Sequence, residues 1–343
     1  MKKLAIIGCG GIGEYHLEHF LAYDDIELAG FCDIIPERAE GFVKKAGKGR
    51  TFADFREMYD KVAPDMVFIC VPPYAHGDIE FETIRRGIPF FVEKPLTLDV
   101  GLARRINALV TQKGLITACG FQCRYSSIVD VTRRFAVEND IAFVCCNRMG
   151  GIPGVEWWSD KARSGGQIVE QTIHNFDMIR YILGDPVEVY TVGTTGFVDG
   201  GEHYKTDDLT VTSVRFASGA LGALSTGCYA TGGSCCDNKI IFSAKDARLE
   251  HYIIEKAVIY GASVSPDDSA SIVKGDGKMC STADGAVIRD DGQAGIRCDR
   301  TFVDAVLTGD ASRIRSPYSD ALRSLEFTLA CNLSQETGAP VRL

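Results

Sequence analysis

The sequence predicts a doubly wound α/β domain followed by an α+β domain with an open-faced, mostly antiparallel sheet. Three observations carry this. Strand and helix patterns alternate through residues 1–121, as a parallel sheet with crossover helices requires. A glycine-rich turn at residues 8–13 joins the first strand to the first helix. Consecutive β-rich segments then dominate the later half, which suits antiparallel pairing. A chain of 343 residues fits about two domains. The boundary is set at 121, giving 1–121 and 122–343, with the C-terminal helix packing back on the first domain.

Each element has its own signal. "KLAII" is a short apolar strand, followed by the glycine turn and the helix running to Ala22. "IELAGFCD" is a strand, and "PERAEGFVKKAG" a helix with proline in its first turn. "DMVFICVPP" is a continuous apolar run closed by prolines, the mark of a strand buried on both faces. "HGDIEFETIRRG" is a helix ended by glycine. "IPFFVEKP", "DVGLARRINALVTQKG" and "LITACGF" read as strand, helix and strand. In the later half "VEVYTVGTTGF", "DLTVTSVRFASGALGALSTGCY", "NKIIFSAKDARLEHY" and "KAVIYG" are strands, with Ala217-Ser218-Gly219 as a hairpin link. Residues 265–285 are polar and glycine-rich, a surface loop by composition. "SDALRSLEFTLACNLSQETG" starts with a serine cap and stops at glycine, a helix.

Composition narrows the function classes. With 45% hydrophobic and 24% charged residues, the chain is that of a soluble globular protein. Its net charge of -9 comes without a clustered basic face, so no nucleic-acid partner is expected. No run of 18 apolar residues occurs, so no membrane span is expected. The apolar start breaks at Gly8, too early for a secretory signal. Thirteen cysteines, an odd number without a CxxC pair, suggest neither disulfide framework nor zinc site. Free thiols and a cytoplasmic location follow, and no metal is assigned.

Gly8, Gly10, Gly11, Ile12 and Gly13 lie in a G-x-G-x-x-G string between a strand and a helix. There the first glycine permits the turn, the second lets backbone approach a pyrophosphate, and the third permits helix–strand packing. Asp33 follows twenty residues later at the end of the next strand, where an acid accepts from ribose hydroxyls and favours NAD over NADP. Ile34 is beside it, and Arg38 keeps NADP as a lesser alternative. Glu93-Lys94-Pro95 follows a strand at the edge where ligands bind in such sheets. A lysine there polarises a substrate oxygen; alone it is equally a surface lysine. "SGGQIVEQTIHNFD" puts Glu170, His174 and Asp177 three and four residues apart, on one side of a helix. His174 suits proton transfer near neutrality.

The ordered set GxGxxG, EKP and SGGxxxExxxHxxD, with "VPPYAH" and "GFQCRY" between, resembles the Gfo/Idh/MocA family of NAD(P)-dependent oxidoreductases along essentially the whole chain. The resemblance implies a Rossmann domain and a second domain whose sheet often forms the oligomer interface, hence a homodimer or homotetramer. It implies Lys94 and His174 as the catalytic pair, with Glu170 standing where relatives more often have aspartate and Thr172 where they often have glycine. Val71, Pro72, Pro73, His76, Glu93, Lys94 and Gln122 fall at cofactor positions, though Pro73 and Tyr74 depart from the family pattern. Arg124 falls at a substrate-facing position. Trp157, Trp158 and Tyr229 are added as candidates for stacking on a sugar ring, and Lys161 and Arg163 as candidate anion contacts. The expected reaction is NAD-dependent oxidation of a secondary hydroxyl of a sugar, cyclitol or sugar acid, or its reverse. The alternatives are glycoside cleavage through transient oxidation and elimination, and a non-catalytic NAD-binding sensor.

Overall fold

The computed structural model describes residues 1–199, 204–261, 271–272 and 285–343. The chain forms two compact units, Met1–Phe121 with Ile296–Leu325, and Gln122–Gly295 with Glu326–Leu343. The first unit thus takes in residues 296–325 beside 1–121.

In order, the first stretch comprises β1 (Lys2–Ile7), α1 (Gly11–Phe20), β2 (Ile26–Cys32), α2 (Pro36–Ala46), β3 (Arg50–Phe52), α3 (Phe55–Val62), β4 (Met66–Ile69), α4 (Asp78–Arg85), β5 (Phe90–Val92), α5 (Val100–Lys113) and β6 (Thr117–Cys119). The six strands form one sheet in the order β3-β2-β1-β4-β5-β6, with every neighbour parallel. The order reverses between β1 and β4, and ligands of such sheets bind beyond the carboxyl ends of the strands at that point. The central strands are buried along their length, β4 throughout, which is why they read as unbroken apolar runs. Beneath them Phe68 stacks on Phe91 at 4.5 Å and meets Phe20 edge-on at 4.6 Å. Caps fix the helix starts: the Asp54 carboxylate accepts from the Arg56 and Glu57 amides, and Asp99 from Gly101 and Leu102.

The rest comprises α6 (Val129–Glu138), β7 (Phe143–Met149), α7 (Lys161–Ser164), α8 (Ile173–Leu183), β8 (Pro186–Thr194), β9 (Leu209–Phe216), β10 (Leu221–Gly227), β11 (Asp237–Ser243), β12 (Arg248–Tyr252), β13 (Lys256–Tyr260), β14 (Ser271–Ile272), β15 (Ala286–Arg289), α9 (Ala294–Thr308), α10 (Tyr318–Thr337) and β16 (Val341–Arg342). Ten strands form a second sheet, order β14-β15-β13-β12-β11-β7-β10-β9-β8-β16. Its neighbours are antiparallel except β7 and β10. Residues 265–285, expected as a loop, lie outside the described residues apart from Ser271, Ile272 and Gly285.

Alternation decides what each face of this sheet does. In β9, Thr210, Thr212, Val214 and Phe216 are buried, and Val211, Ser213 and Arg215 are exposed. The buried face packs Val144, Cys146, Leu224, Ile240, Phe242 and Leu249 against Phe176, Met178 and Ile179 of α8 and Phe327 of α10. The other face shows Tyr190, Val192 and Val211 to solvent. Every cysteine among the described residues is a free thiol, and no described helix is long and apolar enough to cross a membrane.

Phe68→Ala is expected to cost about 3–5 kcal/mol, because the ring is fully buried among three other phenyl rings. Urea unfolding followed by far-UV circular dichroism should show the midpoint fall; a midpoint equal to wild type would refute this packing.

Candidate functional site

In the first unit the carboxyl ends of β1, β2 and β4 meet around the glycine turn. Gly8 has φ of +93°, and a Cβ there would sit 2.2 Å from the Cys70 carbonyl oxygen. A Cβ on Gly13 would sit 2.1 Å from the Gly8 carbonyl oxygen. These two glycines are needed for packing. Gly10 and Gly11 differ: a Cβ on either meets nothing within 4 Å, and Gly10 caps α1 without any side-chain bond. The turn thus presents open space at a helix N-terminus, whose uncapped amides suit a pyrophosphate. Asp33 is buried. Its carboxylate accepts from Cys9 N at 2.8 Å and Ile35 N at 2.9 Å, so it is held rigidly beside the turn. Ile12 and Ile34 are exposed, as is Arg38. This arrangement fits a dinucleotide.

Other predicted cofactor positions divide. Val71 and Pro72 are half-buried and Pro73 is buried. His76 is committed to the fold: its Nδ1 lies 2.6 Å from Glu80 Oε1, while Glu80 Oε2 accepts from Gly77 N at 2.6 Å at the start of α4. Glu93 is also buried. It accepts from Lys94 N at 3.1 Å and faces His16 Nε2 at 3.0 Å. The opposite ring nitrogen of His16 is 2.9 Å from both oxygens of Asp299 on α9, and His19 Nδ1 is 2.6 Å from Asp299 Oδ2. Burial disfavours a charged His16, but Asp299, by charge and hydrogen bond, and Glu93 outweigh it and raise the imidazole pKa to about 10. A buried imidazolium therefore ties α1 to the strand end that carries Lys94. Gly120 completes the setting, since a Cβ there would meet the Glu93 carboxylate at 2.2 Å. Sequence reading missed His16 and Asp299: they lie 283 residues apart, and no local pattern links them. His16, His19 and Asp299 bring donor atoms within 4.8 Å of one another, but their 2.6–2.9 Å contacts are hydrogen-bond distances. Lys94 itself is half-buried.

In the second unit the stretch read as one helix is two. Gly165 and Gly166 have φ of +78° and +77°, after which residues Gln167–Gln171 form a π-helical turn closed by Thr172 N donating to Gln167 O at 2.9 Å. The α-helix starts only at Ile173. Between Ser164 and Arg180 all residues are buried except Glu170, Gln171 and His174, which are half-buried. Glu170, Gln171 and His174 thus keep access that the rest of the stretch lacks. Asp177 does not share it. It is buried and accepts two bonds from Arg124, Nε at 2.8 Å and Nη2 at 2.5 Å. The face predicted for three residues holds two. Arg124, expected to face substrate, is fully buried in this fork.

Trp158, offered as a stacking surface, is also fully buried, and is core. Trp157 and Gln122 are half-buried. Tyr229 is 40% exposed, with its ring 6.0 Å from that of Phe197. Lys161 binds Asp207 at 2.8 Å and Gln335 at 3.0 Å, and Arg163 is exposed.

Residues 2–121 match the family described as oxidoreductase with an NAD-binding Rossmann fold, GFO_IDH_MocA, and residues 140–250 match its GFO/IDH/MocA C-terminal domain. The chain belongs to the Gfo/Idh/MocA family of oxidoreductases, and its first unit is that family's NAD-binding fold. Among curated relatives, scyllo-inositol 2-dehydrogenase (NAD(+)) of Bacillus subtilis is 29% identical over 228 residues, 64% of this chain and 65% of that enzyme. Myo-inositol 2-dehydrogenase of Thermotoga maritima is 27% identical over 264 residues, 75% of this chain and 77% of that enzyme. The matches thus span between about two thirds and three quarters of those relatives' lengths. Myo-inositol 2-dehydrogenase from Lactobacillus plantarum shares the fold over 100% of this chain and 99% of its own, with a TM-score of 0.80 at 21% identity.

The raised pKa of His16 makes a signed prediction. The folded protein holds this proton more tightly than the unfolded one, so its stabilisation is complete below about pH 6.5 and fades as pH rises towards 10. The stability gap between wild type and His16→Gln should be widest at pH 6 and narrow by pH 9.5 in denaturant titrations. A gap constant with pH would refute the buried imidazolium.

Proposed function

We propose that this protein oxidises a secondary hydroxyl of a sugar, cyclitol or sugar acid with NAD, or runs the reverse reduction. The observation that carries this reading is the partial exposure of His174 and Glu170, with Gln171, within a stretch buried elsewhere from Ser164 to Arg180, in a chain whose first unit has a dinucleotide turn. Glu170, Gln171 and His174 keep access while the residues around them are buried, and two of the three are ionisable groups able to move a proton near neutrality. It is the arrangement expected of groups that meet a small molecule. The relatives named as inositol dehydrogenases act on such hydroxyls, and the class is extended here to this chain.

In this reading the turn from Gly8 to Gly13 and Asp33 hold the dinucleotide, with the pyrophosphate at the N-terminus of α1. NAD, when bound, supplies the acceptor for a hydride. The residues of the chain handle the proton and the oxygen. His174 takes the hydroxyl proton on a ring nitrogen. Lys94 donates to the same oxygen and lowers the cost of negative charge on it. Glu170 orients His174 or accepts from a neighbouring hydroxyl. The buried Glu93–His16–Asp299 contacts fix the backbone from which Lys94 extends. The solvent-facing Tyr190, Val192 and Val211 support self-association through the second sheet, as a dimer or tetramer.

His174→Ala should lower kcat by about 10²–10⁴-fold and leave NADH binding, followed by fluorescence, close to wild type. Full turnover in that variant would remove the imidazole from the mechanism. Asp33→Ala should shift the NAD to NADP ratio of kcat/KM towards NADP; an unaltered ratio would withdraw the ribose assignment. NADH production across inositols, aldoses and sugar acids tests the reaction class, and release of an aglycone without net NADH would favour redox-assisted glycoside cleavage instead.

A further inference from the structure

Arg148 has a setting that the reaction above leaves unexplained. It lies on β7, whose side chains alternate. Val144 and Cys146 of that strand point into the core beneath α8, so Arg148, two residues on, shares their face. Its register partners are Thr226 on β10 and Asn238 on β11. Both touch the start of α8: Thr226 Oγ1 is 2.6 Å from Thr172 Oγ1, and Asn238 Oδ1 accepts from Asn175 Nδ2 at 2.9 Å. The arginine thus lies between the two strand residues that bond Thr172 and Asn175, the residues on either side of Ile173 and His174.

The guanidinium is poorly compensated there. Nη1 is buried and has no hydrogen-bond partner among the described residues. Asp237, the nearest acid along β11, is committed to Asn147 and Lys239. Burial pulls the arginine pKa down, against the influence of nearby thiols and of Glu170. Gly150 makes room for the group: a Cβ there would lie 2.0 Å from Nη1. The side chain as a whole is half-buried and Glu170 acts on it from nearby, but a buried guanidinium nitrogen left without an acceptor is costly, and that cost is removed when an anion binds. Arginine suits that role because its fork matches the oxygens of carboxylate and phosphate.

We propose that Arg148 binds an oxyanion carried by the substrate, so that the preferred substrates are sugars or cyclitols bearing a carboxylate or phosphate. This rests on the oxidoreductase reading and narrows its substrate class. Sequence inspection passed over the residue because a lone arginine in a β-strand carries no pattern.

The test compares glucose, glucuronate and glucose 6-phosphate as substrates of the full-length enzyme with NAD. Wild type should favour one charged sugar over glucose by at least about tenfold in kcat/KM, and which one identifies the oxyanion. Arg148→Gln should reduce that preference by about tenfold, mainly through KM, and Arg148→Lys should retain part of it. NAD binding by both variants monitors folding; if Arg148→Gln does not fold, the KM shift of Arg148→Lys on the charged sugar decides. Turnover of glucose over both charged sugars, or a preference untouched by the substitution, would overturn the proposal. If none of the three is oxidised, calorimetric titration of the NAD-loaded protein with glucuronate and glucose 6-phosphate separates the two ideas. Binding that is lost in Arg148→Gln would support the anion site while the oxidoreductase reading falls. No binding to wild type would overturn the anion site.

Discussion

The close backbone approach at Gly8 and Gly13 is the constraint on which the first unit depends. The Gly8 turn lies against the carbonyl of Cys70, and Gly13 lies against the carbonyl of Gly8, so β1, α1 and β4 meet without intervening side chains. That contact sets the direction of α1. The helix start then faces open space, and His16, five residues along, is delivered to Glu93 and Asp299. Binding geometry at one end of the helix and charge pairing at the strand end before Lys94 follow from the same packing.

The second unit solves a different problem. A ten-stranded sheet needs one face covered, and α8 and α10 do this with Phe176, Met178, Ile179 and Phe327. Several polar residues enter that interface in pairs. Arg124 and Asp177 neutralise each other, Thr172 meets Thr226, and Asn175 meets Asn238. Arg148 enters with a buried nitrogen, Nη1, that has no partner among the described residues.

Much of this was legible in the sequence because the relevant signals are local. Buried parallel strands show as apolar runs, the glycine string shows its own turn, and alternation in β9 shows which face is wet. The family resemblance rested on the same local strings, and the matched domains bear it out. What escaped was short or distant. β3 has three residues of which only Phe52 is buried, so no apolar run marks it. Two tryptophans in a row look alike on paper, yet only Trp158 enters the core. Asp177 keeps helical spacing from His174, but its fate is decided by Arg124, 53 residues earlier. A π-turn has no sequence signature, so Glu170 was placed on the wrong kind of helix.

That turn has a consequence for how the chain tolerates change in length. A π-turn uses one residue more than an α-helix needs to close its hydrogen bond. Excising a single residue between Gln167 and Gln171 would let the segment wind as a continuous α-helix. Everything on its amino-terminal side would then be turned by about 100° relative to His174. The inserted residue therefore acts as an angular spacer, and the mutual bearing of carboxylate and imidazole is encoded by residue count as much as by residue type.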